Sequence, residues 1–497
     1  MAGDGHTDDA QPAAHGEASD VARRHSDGID SSRRDFLKLG GIATAGLVVG
    51  GAVGAAAGAA IGHELGVREG SLDLAAMPAR SEPGFDHVVP TMDGFVRDYW
   101  NNVERLRRGK APTLEEASHI MGGFSPEQLP VLSTLAKGFA VFDAWFAAVP
   151  SQTYCNRSFF HASTSHGFVT NKHGGGYDKW LDAPAAPTIF NRLEEAGIPW
   201  KVYFDEMQLV SLTGMMHAPA VEQYWRTGRF GHMSEFFDDA AAGRLPAYAF
   251  IEPRMVYNHN DFHPPFGVYR ESEVDGAPVL DSAVSDVRAG EKLVADVYNA
   301  IRASTTPDGS NALNTLLLIT FDEHGGTYDH VPPPVAVPPV AYDAPGEMGF
   351  TFDRLGVRVP AIAVSAYTRS GTIVHDEMHH GAVIATLARL HGLRPLTRRD
   401  ATARDLFSVV NLDVPRDPST WPLVHPMYVP PNPHEDERID LRDGAHQAKP
   451  LSPPGRGLLG LLLARYGPPD APEPESYAEA YDVLQQHGLG LFYPKRS

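Results

Sequence analysis

The densest chemistry in the chain lies in Phe321-Asp322-Glu323-His324-Gly325-Gly326-Thr327-Tyr328-Asp329-His330-Val331-Pro332-Pro333-Pro334. It follows Thr315 to Thr320, an apolar run of the length and composition of a buried strand. The chain therefore leaves a sheet and presents two adjacent carboxylates and a His. Gly325-Gly326 then lets the backbone turn sharply and lets a ligand approach. The carboxyl ends of strands in open α/β sheets are where ligands bind. Two hard oxygen donors there, with His324, Asp329 and His330 close by, suit a metal ion and an anion.

Four further segments carry reactive groups. In Gln152-Thr153-Tyr154-Cys155-Asn156-Arg157, beyond a second apolar run, the Thr153 hydroxyl needs a metal or a base before it becomes a nucleophile. Asn156 and Arg157 could hold phosphate oxygens there, Arg157 through its planar fork, or the segment could be a turn with an inert Thr. Cys155, the chain's single cysteine, reads as structural, and it excludes an intramolecular disulfide and a multi-Cys zinc site. Glu252-Pro253-Arg254 precedes Asn258-His259-Asn260-Asp261-Phe262-His263-Pro264-Pro265, where the prolines stiffen the chain around the His263 imidazole. His375-Asp376-Glu377-Met378-His379-His380 stands before a helix, whose dipole favours neutral imidazole; His375 and His379 read as polar loop residues. Thr397-Arg398-Arg399-Asp400 reads as an ion-pair and capping segment.

The elements that must position these groups alternate. Strands are expected at Phe85–Val89, Ala140–Ala147, Pro199–Asp205, Pro246–Glu252, Thr315–Thr320 and Val357–Ser365. Helices are expected at Ser125–Lys137, Pro187–Gly197, Ser285–Ala303 and Gly381–Leu393, the third with Leu293, Val297 and Ile301 on one face. This order predicts a three-layer α/β/α sandwich around a mostly parallel sheet, within residues 80–410. Residues 411–497 are Pro-rich and charged, with short helical patterns at Gly457–Tyr466 and Ser476–Gln486. They read as an accessory wrap with no chemical motif.

A chain of 497 residues that is 42% hydrophobic and 21% charged can bury a substantial core. Its formal charge of −20 argues against a nucleic-acid partner. Residues 1–70 comprise a polar start and an export signal. Ser32-Arg33-Arg34-Asp35-Phe36-Leu37-Lys38 has the twin-arginine pattern, and Leu39 to Gly62 follows without a charge. The expected partner of this segment is the twin-arginine export machinery of a bacterium. The expected location is periplasmic, secreted, or anchored at the membrane by the apolar run.

Together these segments resemble the bacterial phosphoesterase family of non-haemolytic phospholipases C and respiratory-burst-inhibiting acid phosphatases. The matching residues are Thr153, Asn156 and Arg157; Glu252-Pro253-Arg254 with His263-Pro264-Pro265; Asp322-Glu323-His324-Gly325-Gly326 with Asp329-His330-Val331-Pro332-Pro333; Arg358-Val359-Pro360; and His380 with Arg399-Asp400. The resemblance spans roughly residues 120–410. It implies an alkaline-phosphatase-like fold and a metal-dependent hydrolase of phosphoric esters, phospholipids among them. By position, Thr153 would be the nucleophile, forming a phospho-threonine intermediate. Asp322, Glu323 and Thr153 would bind one divalent or trivalent metal ion, with Ca, Mg, Mn, Fe or Zn as candidates. His263 and His380 would serve as catalytic histidines. Asn156 and Arg157 would anchor the loop or hold the phosphoryl oxygens, and His324 would hold phosphate. Phospholipase C-like diester cleavage is the leading activity, and acid phosphatase the alternative.

Two departures bear on activity. His379-His380 stands where the family usually has Asp-His. The family's Glu-Asn pair, which supplies two metal ligands just after the first strand, is absent; Val89 runs straight into Pro90-Thr91-Met92-Asp93-Gly94-Phe95. No Glu-Asn dipeptide occurs in the chain. A catalytically degenerate member that binds phosphorylated ligands is therefore a further alternative.

Overall fold

The structure, a computed structural model, describes residues 89–493 apart from 107–108, 173–174, 184, 264–270, 275–276, 281–284, 341–344 and 427–443, together with the strand Ala43–Val48. Eight strands form the central sheet: β1 (Ala43–Val48), β2 (Ala140–Phe142), β3 (Trp200–Phe204), β4 (Phe230–His232), β5 (Tyr248–Ile251), β6 (Thr315–Thr320), β7 (Ala361–Val364) and β8 (Thr372–Val374). Their spatial order is β8-β2-β7-β6-β1-β5-β3-β4. Every pairing is parallel except the two made by β7, which runs against β2 and β6. The mostly parallel sheet expected from sequence is thus observed. All six residues of β6 are buried, as a strand covered on both faces requires.

The main helices are α1 (Phe95–Leu106), α2 (Pro130–Gly138), α3 (Thr153–Ala162), α4 (Ile189–Glu195), α5 (Met233–Ala241), α6 (Val287–Ala303), α7 (Gly381–His391), α8 (Pro453–Tyr466) and α9 (Tyr477–Val483). Helices α2, α5 and α6 pack together on one face of the sheet, and α3, α4 and α7 form a separate layer. This is the α/β/α sandwich. Helix α2 starts with Pro130, whose fixed φ suits the first turn. The free N–H groups of Val131 and Leu132 donate to the Glu291 carboxylate on α6, at 2.7 and 2.8 Å. One buried side chain therefore caps a neighbouring helix and locks two layer members together. Asp286 caps α6 and Ser452 caps α8 through their own side chains.

Several expectations change. The first strand was expected at Phe85–Val89; residues 85–88 lie outside the described residues, and Val89 is exposed and not in a strand. The slot between β5 and β6 holds Ala43–Val48, taken from the apolar run after the twin arginines, with Val48 in register with Thr320. The strand expected over Ala140–Ala147 divides. Ala140–Phe142 joins the sheet, while Trp145–Phe146 pairs with Met378–His379 in a two-residue ladder. Edge strands β4 and β8, three residues each, are too short to show a period. Among the described residues no helix is long and apolar enough to cross a membrane.

Candidate active site

Thr153 is not in a turn. It is the first residue of α3, after the extended N-cap Gln152. Its hydroxyl sits at the positive end of a ten-residue helix, where a developing negative charge on oxygen is stabilised. Asn156, one turn later, is fully buried and accepts from the Val149 amide at 3.0 Å. Its amide donates to the carbonyls of Val149 (3.2 Å) and Ser151 (2.9 Å). These bonds hold the loop that delivers Thr153, so Asn156 anchors the loop, the first of the two roles the resemblance implied.

At the end of β6 the Asp322 side chain is buried, with Oδ2 making no hydrogen bond. Burial pushes its pKa up, opposed by the Arg157 and His263 charges and by the Thr153 hydroxyl beside it. Glu323 is raised to about 7, by burial first and then by the Asp322 charge. The Asp322 charge thus bears on Glu323, and the Thr153 hydroxyl lies beside Asp322. A hard cation fits this donor set: it would neutralise the pair and supply the missing partner of Asp322 Oδ2. Asp322, Glu323 and Thr153 would supply half a coordination shell, leaving positions for water or phosphoryl oxygens. Strand β1 ends at Val48, and the sequence continues as Val49, Gly50 and Gly51, none with a carboxylate or amide side chain.

The Arg157 side chain is fully buried, 3.6 Å from Glu252 Oε1, and its guanidinium nitrogens make no hydrogen bond. Glu252 meanwhile accepts from the amides of Leu212 (3.1 Å) and Thr213 (2.6 Å). Arg157 acts as a fixed positive charge close to Asp322. His161 and His217 complete this buried patch, their rings 5.6 Å apart.

His380 caps α7 and is fully buried. The Trp145 indole donates to its Nδ1 (3.3 Å), so Nε2 carries the proton and donates to the Asp322 carbonyl (2.8 Å). Both ring nitrogens are engaged. Burial lowers its pKa to about 4, and the ring stays neutral. The geometry gives His380 a positioning role in place of the proton transfer expected of it.

His263 differs. It is partly exposed, and Nδ1 lies 2.8 Å from Asp261 Oδ2, outside good hydrogen-bond alignment but in close charge contact. Burial lowers its pKa, but the Asp261 charge outweighs this and raises it, helped by Glu323 and Asp322. His259 Nδ1 lies 3.3 Å from the same oxygen. The ligand atoms of His259, Asp261 and His263 lie within 4.8 Å of one another, a spacing that a metal could use. Both imidazoles, however, already meet Asp261 Oδ2 directly. Asp261 and His259 were missed as site residues; the His-x-Asp-x-His spacing was the available signal.

Beside Glu323 opens a cavity of about 310 Å³, lined by Asp143, Phe321, His324, Tyr328 and Arg358 among others. His324 donates from Nδ1 to the Thr327 carbonyl (2.9 Å) and packs edge-on against Phe95 of α1. Arg358 grips Asp329 with two 2.8 Å bonds, which explains both motifs as one wall of this cavity. Arg399 donates to the carbonyls of Ala148, Val337 and Phe352, and Asp400 caps its short helix, as the sequence indicated. Burial raises the Cys155 thiol to about 12, and it is inert.

The Thr153 hydroxyl, at the start of α3, lies beside Asp322, which follows the carboxyl end of β6. The family model described as "Phosphoesterase family" matches residues 89–394, and the chain belongs to that family. It is 35% identical over 375 residues to non-specific phospholipase C6 of Arabidopsis thaliana, covering 72% of this chain and 64% of that protein. Non-specific phospholipase C3 of the same plant is 34% identical, covering 66% and 58%. Phospholipase C B of Mycobacterium tuberculosis is 27% identical over 344 residues, covering 62% and 59%. The chain thus spans less than two thirds of these relatives' lengths. Among solved structures, an alkaline phosphatase superfamily protein from Vibrio parahaemolyticus superposes with a TM-score of 0.32 at 14% identity, covering 56% of this chain and 63% of that one. That likeness is too slight to carry an argument, and the fold rests on its own strand order.

Proposed function

We propose that this chain is a metal-dependent phosphoric-ester hydrolase that cleaves phosphodiesters, phospholipids among them, in the manner of a phospholipase C. The observation that carries this reading is the Thr153 hydroxyl, at the N-terminus of α3, set beside Asp322. The printed names of the plant and mycobacterial relatives support the substrate class. One ion at Thr153, Asp322 and Glu323 would neutralise the carboxylates and make the hydroxyl more acidic.

Thr153 Oγ, its proton passed to solvent water, attacks phosphorus in line, and the bond from phosphorus to the leaving alkoxide breaks. His263, protonated through its pairing with Asp261, gives that alkoxide a proton. Water then attacks the phospho-threonine, with neutral His263 taking a water proton and Thr153 leaving. The α3 N-terminus stabilises the charge on Oγ in both steps. Acid-quenched enzyme mixed with a phosphodiester should carry one phosphoryl group on the peptide containing Thr153. Its absence during steady turnover rejects the covalent route.

A second reading has one observation in its favour: Val49-Gly50-Gly51, which follows β1 in sequence, has no side chain able to act as an opposing ligand. A phospho-ligand-binding protein without turnover would bind inorganic phosphate but leave phosphodiesters intact at any metal loading. Export by the twin-arginine route belongs to the same proposal. Replacing Arg33-Arg34 by Lys-Lys should retain the protein in the cytoplasm.

A further inference from the structure

The C-terminal tail carries no chemical motif, yet it grips the histidine loop at three points. The Asn258 amide donates to the Tyr477 hydroxyl at 2.8 Å. The Tyr257 and Tyr477 rings meet edge-on at 5.0 Å. The Met255 carbonyl lies so close to α8 that a Cβ on Gly455 would approach it to 3.0 Å. Between these contacts, Ser452 Oγ lies 2.7 Å from His259 Nε2, with both residues buried. Across the ring, His259 Nδ1 faces Asp261 Oδ2, which also meets His263 Nδ1.

We propose that the tail positions the His263 imidazole through the chain Ser452–His259–Asp261–His263, so that Ser452 and His259 are positioning residues for proton transfer to the leaving group. The proposal rests on the hydrolase reading. The polarity of the chain is consistent throughout. Asp261 is an anion and can only accept, so His259 carries its proton on Nδ1 and accepts at Nε2 from the Ser452 hydroxyl. Burial keeps His259 neutral, as this arrangement requires. The same Ser452 oxygen accepts from the Gly455 amide as the N-cap of α8. One hydroxyl therefore couples the seating of α8 to the orientation of the loop. Phe262 anchors the far side, packing where a Cβ on Gly290 of α6 would collide with its ring and lying 5.3 Å from Phe321. A loop held at both ends leaves His263 one free nitrogen, Nε2, for chemistry.

Loss of an oriented proton donor is felt by poor leaving groups and not by good ones. The test compares full-length wild type, Ser452→Ala, Ser452→Thr and His259→Phe on two esters. From phosphatidylcholine the diacylglycerol leaves as an alkoxide, whereas from p-nitrophenylphosphorylcholine a stabilised nitrophenolate leaves. In Ser452→Ala and His259→Phe, kcat on the lipid should fall about tenfold or more, while kcat on the nitrophenyl ester stays within about twofold. Ser452→Thr, which keeps the hydroxyl, should restore the lipid rate. Equal losses on both esters, or none on either, overturn the proposal. Should wild type hydrolyse neither ester, the hydrolase reading fails, and amide hydrogen exchange tests the brace separately. Ser452→Ala must then speed exchange across residues 255–263; acceleration confined to 453–466 overturns the brace as well.

Discussion

The Nε2–H of His380 donates to the main-chain carbonyl of Asp322, fixing the residue that carries the buried carboxylate and not the carboxylate itself. His380→Ala strands that carbonyl and the Trp145 indole N–H and opens a cavity, costing about 3 kcal/mol in urea or thermal unfolding. Turnover should fall because Asp322 loses its place. The ratio of lipid to nitrophenyl-ester rates should stay at the wild-type value, whereas His263→Gln should lower it. A shifted ratio in His380→Ala returns His380 to proton transfer.

Thr153→Ala should reduce phosphodiester turnover by about a thousandfold or more, since no other aliphatic hydroxyl lies in the first turn of α3. Thr153→Ser should keep measurable activity, and both variants should unfold at temperatures near that of wild type. Steady-state rates and a melting curve for each variant are sufficient. Turnover unchanged in Thr153→Ala removes the nucleophile.

How much of this was legible depended on whether chemistry was local in sequence. Asp322 and Glu323 announced themselves because a fully apolar strand ends directly before them. Parallel packing and the α6 face followed from periodicity. The orientations of Asn156, Arg157 and His380 were not legible because type and spacing do not report direction: Asn156 points toward carbonyls, Arg157 toward Glu252, and His380 toward Trp145 and the Asp322 carbonyl. Ser452 and His259 are 193 positions apart, and nothing local marks a serine as more than a helix cap. Ala43–Val48 was not read as a strand because, rich in small residues, it has neither strand alternation nor the β-branched density of β6.

If Asp322, Glu323 and Thr153 hold a cation, it binds the folded chain and not the unfolded one. A divalent ion at about a hundredfold its dissociation constant should add on the order of 2.7 kcal/mol of stability. Stripping metal with a chelator should lower the melting temperature, and readdition should restore it. Asp322→Asn with Glu323→Gln should abolish the response while raising the stability of the metal-free protein, because two buried, repelling acids are replaced by neutral groups. A melting response retained in the double variant locates the ion elsewhere.

His217 is buried with Nε2 unpartnered, and its pKa falls to about 3, first through burial and then through the charges on His166 and Arg157. Its folded pKa lies below the unfolded value of about 6.5. The contribution to stability is therefore complete above about pH 6.5 and is lost as pH falls toward 3. His161 adds to the same acid limb, since burial also holds it well below the usual range. The melting temperature should drop steeply below about pH 6. His217→Leu should flatten part of that slope, and an unchanged slope would show that His217 is not neutral in the fold.

Glu291 works in the opposite direction. Burial raises its pKa to about 7, although the Val131 and Leu132 amides favour its charged form. A raised folded pKa makes a contribution that is complete below the unfolded value of about 4.5 and disappears as pH rises through 7. The amount at stake is on the order of 3 kcal/mol. Glu291→Gln keeps an acceptor for one of the two amides and removes the titration. It should therefore be less stable than wild type at about pH 5, and the gap should shrink as pH is raised to about 8. Chemical unfolding of both proteins at the two pH values measures this, with the histidine contributions cancelling in the difference. A gap that widens toward the higher pH would mean that the ionised carboxylate is the better cap for α2.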